Sequence, residues 1–337
     1  MPDNPTPEII EPNEPNLRIR AGKVSHRRIE HFVAPLEETP LQTVDKVDET
    51  SAPLSMWNQA WRSLRTQPLF IISAFLIILV IVVAVFPSLF TSGDPRACDL
   101  NFARKGPAEG HPLGFTFLGC DIYSRLIYGT QASVLVGLFT TIGVIIIGGT
   151  FGALAGYYGG WLDAILARLT DIFFALPLIL GAIIIMQLPA FRDNKSMWTV
   201  IITLTIFGWP QMARITRGSV IEAKSSDYVM ASRSLGLSKF KTLVKHVVPN
   251  SLAPVIVIAT ISLGIFIVAE ATLSFLGVGL PPSIMSWGRD ISDAQISLRN
   301  NPGILMWPAL ALSITVLSFI MLGDAVRDAL DPKSRKG

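Results

Sequence analysis

The sequence predicts an all-α polytopic membrane protein with six transmembrane helices. Three observations carry that expectation. Of the 337 residues, 50% are hydrophobic and only 16% charged, against about 25% charged in a soluble domain, and the mean hydropathy is +0.49. Six apolar runs are each long enough to cross roughly 30 Å of hydrocarbon as a helix. Those runs are continuous and lack the alternation of a barrel strand, and a helix satisfies its own backbone in lipid.

The chain begins with a polar stretch, residues 1–50, rich in Pro, Glu, Asp, Asn and Thr and poor in aromatics. That composition predicts a disordered cytosolic tail, to which no function is assigned. No cleavable signal peptide is expected, because the first apolar run starts near residue 69, far too late for one. Within 51–67, Leu54, Trp57, Trp61 and Leu64 recur at helical spacing beside Arg62 and Arg65. This predicts an amphipathic helix on the cytosolic membrane surface, or else a first turn of span 1 reaching into the headgroups. The rest, 68–337, is read as one six-span domain.

The spans are expected at Leu69–Phe90, Ser133–Ala155, Ile172–Leu188, Trp198–Met212, Ala253–Leu276 and Met306–Leu322. With the N-terminus in the cytosol, the inside segments hold 20 Lys and Arg and the outside segments 8. This excess places both ends in the cytosol. Segment 213–252 alone, with 7 of them, gives the same orientation.

Span 2 carries Gly148, Gly152 and Gly156, a small-xxx-small face that lets two helices approach closely; the same face could line a pathway. Arg168 and Asp171, three apart after span 2, suit a pair at the membrane boundary. Gly277, Gly279, Pro281 and Pro282 stop span 5 sharply. The outer segments 91–132 and 277–305 are too modest for an outer domain, so any capture of substrate outside falls to a separate protein. Cys98 and Cys120 both lie in the first of them. An oxidising compartment permits a bridge there, worth about 3 kcal/mol by loop entropy; two free or buried thiols remain the alternative.

No equipment for catalysis is visible. The sequence has no GxxxxGK[ST] phosphate loop, no HExxH, no CxxC and no GxSxG. Its four histidines, His26, His31, His111 and His246, are scattered, which argues against a metal site. The chain is therefore not expected to be an enzyme, and energy must come from partners or an ion gradient. Glu270 stands alone as a carboxylate deep in a span, which makes it a functional candidate, with a polar pairing or a water-filled cavity as the alternative.

The most informative stretch is Asp227–Pro249, polar and basic between two apolar spans. Ala213–Lys224 continues span 4 as a polar helix. Asp227–Leu235 is expected helical, Gly236 breaks it, Ser238 caps a second helix running through Lys245, and Pro249 and Asn250 end that helix. Such a helix–turn–helix knob persists only if packed, so it implies a docking partner. Tyr228, Val229, Leu235, Phe240 and Leu243 supply its apolar set.

Here a family resemblance enters. Met230-Ala231-Ser232, then Gly236, then His246 and Val248-Pro249 resemble the EAA-x3-G-x9-I-x-LP motif of bacterial ABC importer permeases. Ala231, Gly236 and Pro249 match, while Met230 replaces the Glu, Ser232 an Ala, His246 the Ile and Val248 the Leu. Glu270 to Gly277 (EATLSFLG), with Pro281-Pro282 and Ser286-Trp287-Gly288, is similar to the span-5 signature of the dipeptide/oligopeptide/nickel branch, in its C-type second subunit. Leu322-Gly323-Asp324, Arg327 to Pro332, and the segment from His111 to Gly129 resemble further signatures of that branch. Cys120 stands where an Arg is usual.

The resemblance implies a type I ABC importer permease fold with a cytosolic coupling helix. It implies a homologous second permease, two ABC ATPase subunits and an extracytoplasmic substrate-binding protein as partners. ATP and Mg would be bound by the ATPases, with no cofactor in this chain and no nucleic acid partner. Asp227, Tyr228, Ala231, Ser232, Leu235, Gly236, Lys239, His246 and Pro249 would couple to the ATPase. Glu270, Ser274, Gly148 and Gly152 would border the pathway. Peptide is the implied substrate, with nickel or another small solute as the alternative; an ion-coupled carrier and a non-transporting scaffold are the rival classes.

Overall fold

The computed structural model describes residues 56–330. The readings of the 1–50 tail and of Leu54, Asp331 and Pro332 lie outside the described residues. A short helix α1 (Met56–Leu64) precedes α2 (Pro68–Val85). The long α3 (Ile122–Tyr158) contains a π-turn at Ile145–Gly149. It is followed by α4 (Gly160–Phe174), α5 (Leu178–Met186) and α6 (Met197–Lys224). Then come α7 (Asp227–Ser234), α8 (Lys239–Phe275, with a π-turn at Leu243–Val247), α9 (Trp287–Ala294) and α10 (Gly303–Leu330).

The fold is all-α, with isolated β-bridges only, among the described residues. The helices α2, α3, α8 and α10 are each long and apolar enough to cross a membrane, and α4 with α5 forms a fifth, bent span. The sixth is α6, 28 residues long, apolar in its first half and polar toward Lys224. α8 lies at the centre and packs on α3, α6 and α10, while α2 covers α3 and α10. The core draws Val136 and Val144 from α3, Met186 from α5, Leu204 and Met212 from α6, and Phe266 and Leu273 from α8.

Local chemistry sets the helix limits. Asp121 caps α3, accepting the Ser124 amide at 2.8 Å and its hydroxyl at 2.6 Å. Ser196 and Thr199 form a capping box that starts α6. Along α3 and α6 the backbones nearly touch. A Cβ on Gly148 would meet the Trp209 carbonyl at 2.5 Å and Met212 Cβ at 2.8 Å, and one on Gly152 would meet Thr216 Cβ at 2.9 Å. Tight approach of this kind is how helices gain packing energy where lipid offers no hydrophobic drive.

Four expectations are corrected. Span 2 begins at Ile122 rather than Ser133, because the polar first turns pack beneath the outer segment instead of ending at the membrane surface. Span 3, expected over 172–188, is two helices bent by 83° at residues 175–177; Pro177 disfavours helical geometry at Leu176. Pro249 and Asn250 do not end the second helix of segment 213–252, which runs on into span 5. Pro249 falls at the start of the α-helical segment just after the π-turn, where a missing N–H costs little. Segment 277–305 is more than a loop, since it contains α9.

At the start of the described chain, α1 buries Ala60 and Leu64 against Ala325, Ala329 and Leu330 of α10, leaving Trp61 exposed. Arg168 and Asp171 form the expected exposed pair, at 3.8 Å.

Candidate functional site: a two-helix knob and a buried polar clamp

The knob is α7, a turn at Leu235–Ser238 and the first turns of α8. Gly236 has φ +85°, a left-handed conformation that glycine alone adopts without penalty. Ser238 then caps α8, accepting the Lys241 amide at 3.4 Å. The inner face of the knob is buried: Val229, Leu243 and Val247 pack on Ala153 and Tyr157 of α3 and on Val220 and Ala223 of α6. Ser232 also faces inward and donates to the Val229 carbonyl at 2.8 Å.

The outer face is the reverse. Tyr228 is 44%, Leu235 82% and Phe240 61% exposed. Asp227, Ala231, Gly236, Lys239 and Lys241 lie on the same exposed surface. His246 is half-buried and Pro249 exposed, both where α8 continues toward the membrane. Large apolar side chains presented together with cations mark an interaction surface. Two contacts fix its mounting. Arg217 of α6 makes a two-pronged pair with Asp163 of α4, one arm at 2.8 Å. Lys224 donates to the Tyr157 carbonyl at 2.6 Å, closing the end of α3.

At the other end of the bundle, Glu270 is fully buried and receives three hydroxyls. Ser274 donates at 2.8 Å, Ser286 at 3.0 Å and Ser133 at 3.4 Å. Each serine also accepts a backbone amide of segment 277–305: Leu280 at 3.3 Å, Arg289 at 3.1 Å and Trp287 at 3.1 Å respectively. One carboxyl group thereby organises α3, α8 and α9. The Trp287 indole adds a bond to the Leu126 carbonyl at 3.0 Å.

Arg125 of α3 pairs with Asp290 of α9, with Nε at 2.9 Å. Burial pushes the Asp290 carboxyl above the usual carboxylate range, against the opposing pull of the Arg125 guanidinium. Cys98 and Cys120 are joined in a disulfide that closes the segment before α3.

Of the sequence candidates, the structure groups Asp227, Tyr228, Ala231, Leu235, Gly236 and Lys239 on the exposed face of the knob, turns Ser232 inward and sets His246 and Pro249 farther along α8. It brings Glu270 and Ser274 together in the clamp. It sets Gly148 and Gly152 apart, in the α3–α6 contact. Ser133, Arg125 and Asp290, and the Asp163–Arg217 pair, escaped sequence reasoning. Arg125 and Asp290 stand 165 residues apart, and no local pattern links them. The one available signal was Ser286-Trp287, inside the motif next to Glu270.

Residues 148–336 match the family described as binding-protein-dependent transport system inner membrane component, and residues 55–107 match the N-terminal transmembrane domain of oligopeptide transport permease C. The chain is 38% identical to the oligopeptide transport system permease protein of Bacillus subtilis (strain 168), over 87% of this chain and 94% of that protein. It is 34% identical to the dipeptide transport system permease protein of Alkalihalophilus pseudofirmus, over 88% and 96%. It is 35% identical to a glutathione transport system permease protein of Pectobacterium atrosepticum, over 82% and 91%. Among solved structures, the inward-facing MetNI methionine ABC transporter matches with TM-score 0.52 at 19% identity, over 61% of this chain and 96% of that one, a likeness of fold. The chain belongs to the binding-protein-dependent transport system inner membrane component family, as a multi-pass inner-membrane permease whose first span is of the oligopeptide permease C type.

Proposed function

We propose that this chain is one of two permease subunits of an ATP-driven peptide importer, with both termini in the cytosol. A homologous permease completes the pathway, two ABC ATPases dock on the cytosolic side, and a substrate-binding protein meets segments 91–132 and 277–305. The observation that carries the reading is the two-faced knob. Its inner side is packed onto α3 and α6, and its outer side presents Tyr228, Leu235 and Phe240 beside Lys239 and Lys241. Because α8 runs without a break from Lys239 to Phe275, motion imposed on the knob reaches the outer end of span 5. ATP and Mg stay with the ATPases. Ser274 and the α3–α6 seam at Gly148 and Gly152 belong to the moving wall of the pathway, and Glu270 supports that wall from within.

Peptides are favoured over nickel because the relatives are named for oligopeptide, dipeptide and glutathione transport. An ion-coupled carrier would need ionisable groups facing a mid-membrane path, and Glu270 is held among serines instead. The test is copurification and reconstitution. An ATPase and a second permease come down with this chain, and a peptide-loaded binding protein stimulates hydrolysis and uptake. Isolation of the chain without an ATPase would overturn the reading.

A further inference from the structure

At the bend between α4 and α5, a cleft of about 150 Å³ opens against α6 and α8. Its walls include Phe173, Phe174, Phe207 and Phe266, and its polar lining is Gln211 and Ser262. Ser262 is only 6% exposed, yet its hydroxyl has no hydrogen-bond partner among the described residues. The Gln211 carboxamide, on an exposed face of a membrane-spanning helix, has none either. The first residue of α5, Leu178, also lines the cleft. The first three amides of α5 have no acceptor within the helix, and no side chain caps them.

We infer that this cleft is a station for the peptide in transit, deepening the peptide-import reading on which it rests. Unpaired donors and acceptors inside a span are costly unless a ligand, water or another subunit completes them. An acyl chain would leave all of them unmet. A peptide main chain carries alternating carbonyls and amides that match the α5 amides, the Gln211 carboxamide and the Ser262 hydroxyl without regard to sequence. A cavity of this volume also admits one aromatic ring or small aliphatic side chain, and the phenylalanines supply its walls. The cleft lies near the middle of both α6 and α8, beside a broken helix, the arrangement in which transporters place substrate sites. Arg214, 4.1 Å over the Phe174 ring and 4.0 Å from Asp171, supplies a charged rim on the side nearer Lys224.

The experiment uses the whole complex in proteoliposomes. Since Cys98 and Cys120 are bridged, Ser262→Cys introduces the chain's single free thiol. During turnover this thiol should react with a water-soluble methanethiosulfonate reagent, excess peptide should slow the reaction, and labelling should block uptake while ATP hydrolysis persists. Gln211→Leu should lower peptide uptake at least tenfold with affinity of the binding protein unchanged. A thiol that stays unlabelled in resting, ATP-bound and turnover states means that lipid or the partner permease fills the cleft, and overturns the inference. So does wild-type uptake of every peptide by Gln211→Leu. If the unmodified complex transports no peptide at all, the import reading itself falls, a result distinct from failure of the cleft.

Discussion

The Ser133 hydroxyl donates to the Glu270 carboxyl at 3.4 Å and accepts the Trp287 amide at 3.1 Å, so one side chain on span 2 links span 5 to α9. Removing Glu270 strips three buried serine hydroxyls of their acceptor at once. Unsatisfied buried donors cost about 1–3 kcal/mol each. Glu270→Ala should therefore fall sharply in thermal stability in detergent, while Glu270→Gln, which keeps an acceptor oxygen, should retain most of it. Equal stability of the two variants would show that the clamp does not hold the outer segment.

The Arg125–Asp290 pair predicts a pH signature. Arg125→Met leaves a buried carboxylate unpaired, at a cost of about 3–5 kcal/mol. Asp290 is already raised by burial, and losing the guanidinium raises it further. A group whose folded pKa lies above its unfolded one binds more protons when folded, so stability falls as pH rises. Thermal unfolding of Arg125→Met should show a larger deficit at pH 8 than at pH 5.

Gly236→Asp tests the lever. Asp tolerates the left-handed backbone better than most residues, so insertion and assembly should survive. The new carboxylate lies between Leu235 and Lys239 on the docking face, and ATP hydrolysis should continue without uptake. Normal uptake in reconstituted vesicles would count heavily against the knob as the coupling element.

Replacing Cys98 and Cys120 with Ser should destabilise the outer segment by about 3 kcal/mol. In the native protein a thiol reagent should label neither cysteine until a reductant is added. Labelling without reduction would contradict the bridge.

Gly148→Val adds methyl groups at a position where even a bare Cβ would lie 2.5 Å from the Trp209 carbonyl. The variant should fail to assemble with its partners on size exclusion, whereas Gly149→Ala, which meets open space, should behave as wild type.

Much of this protein is determined by local sequence. Apolar runs of spanning length specify helices, because lipid offers the backbone no other partner. The Lys and Arg distribution carries the proposed orientation. The left-handed turn at Gly236 and the cap at Ser238 are short-range and could be read locally, whereas the continuation of the second helix through Pro249 into span 5 could not. Tertiary structure decided what separated residues do together. Glu270 read as a lone carboxylate with either a pathway or a polar-pairing role, and only the meeting of α3, α8 and α9 supplies its partners Ser133, Ser274 and Ser286. Gly148 and Gly152 fitted either a pathway or a packing seam until α6 occupied their face. The bend at Pro177 was hidden because apolarity continues across it, and hydropathy records composition rather than direction. Pairing in space depends on which helices meet, and that is settled by packing of the whole bundle rather than by any single run of residues.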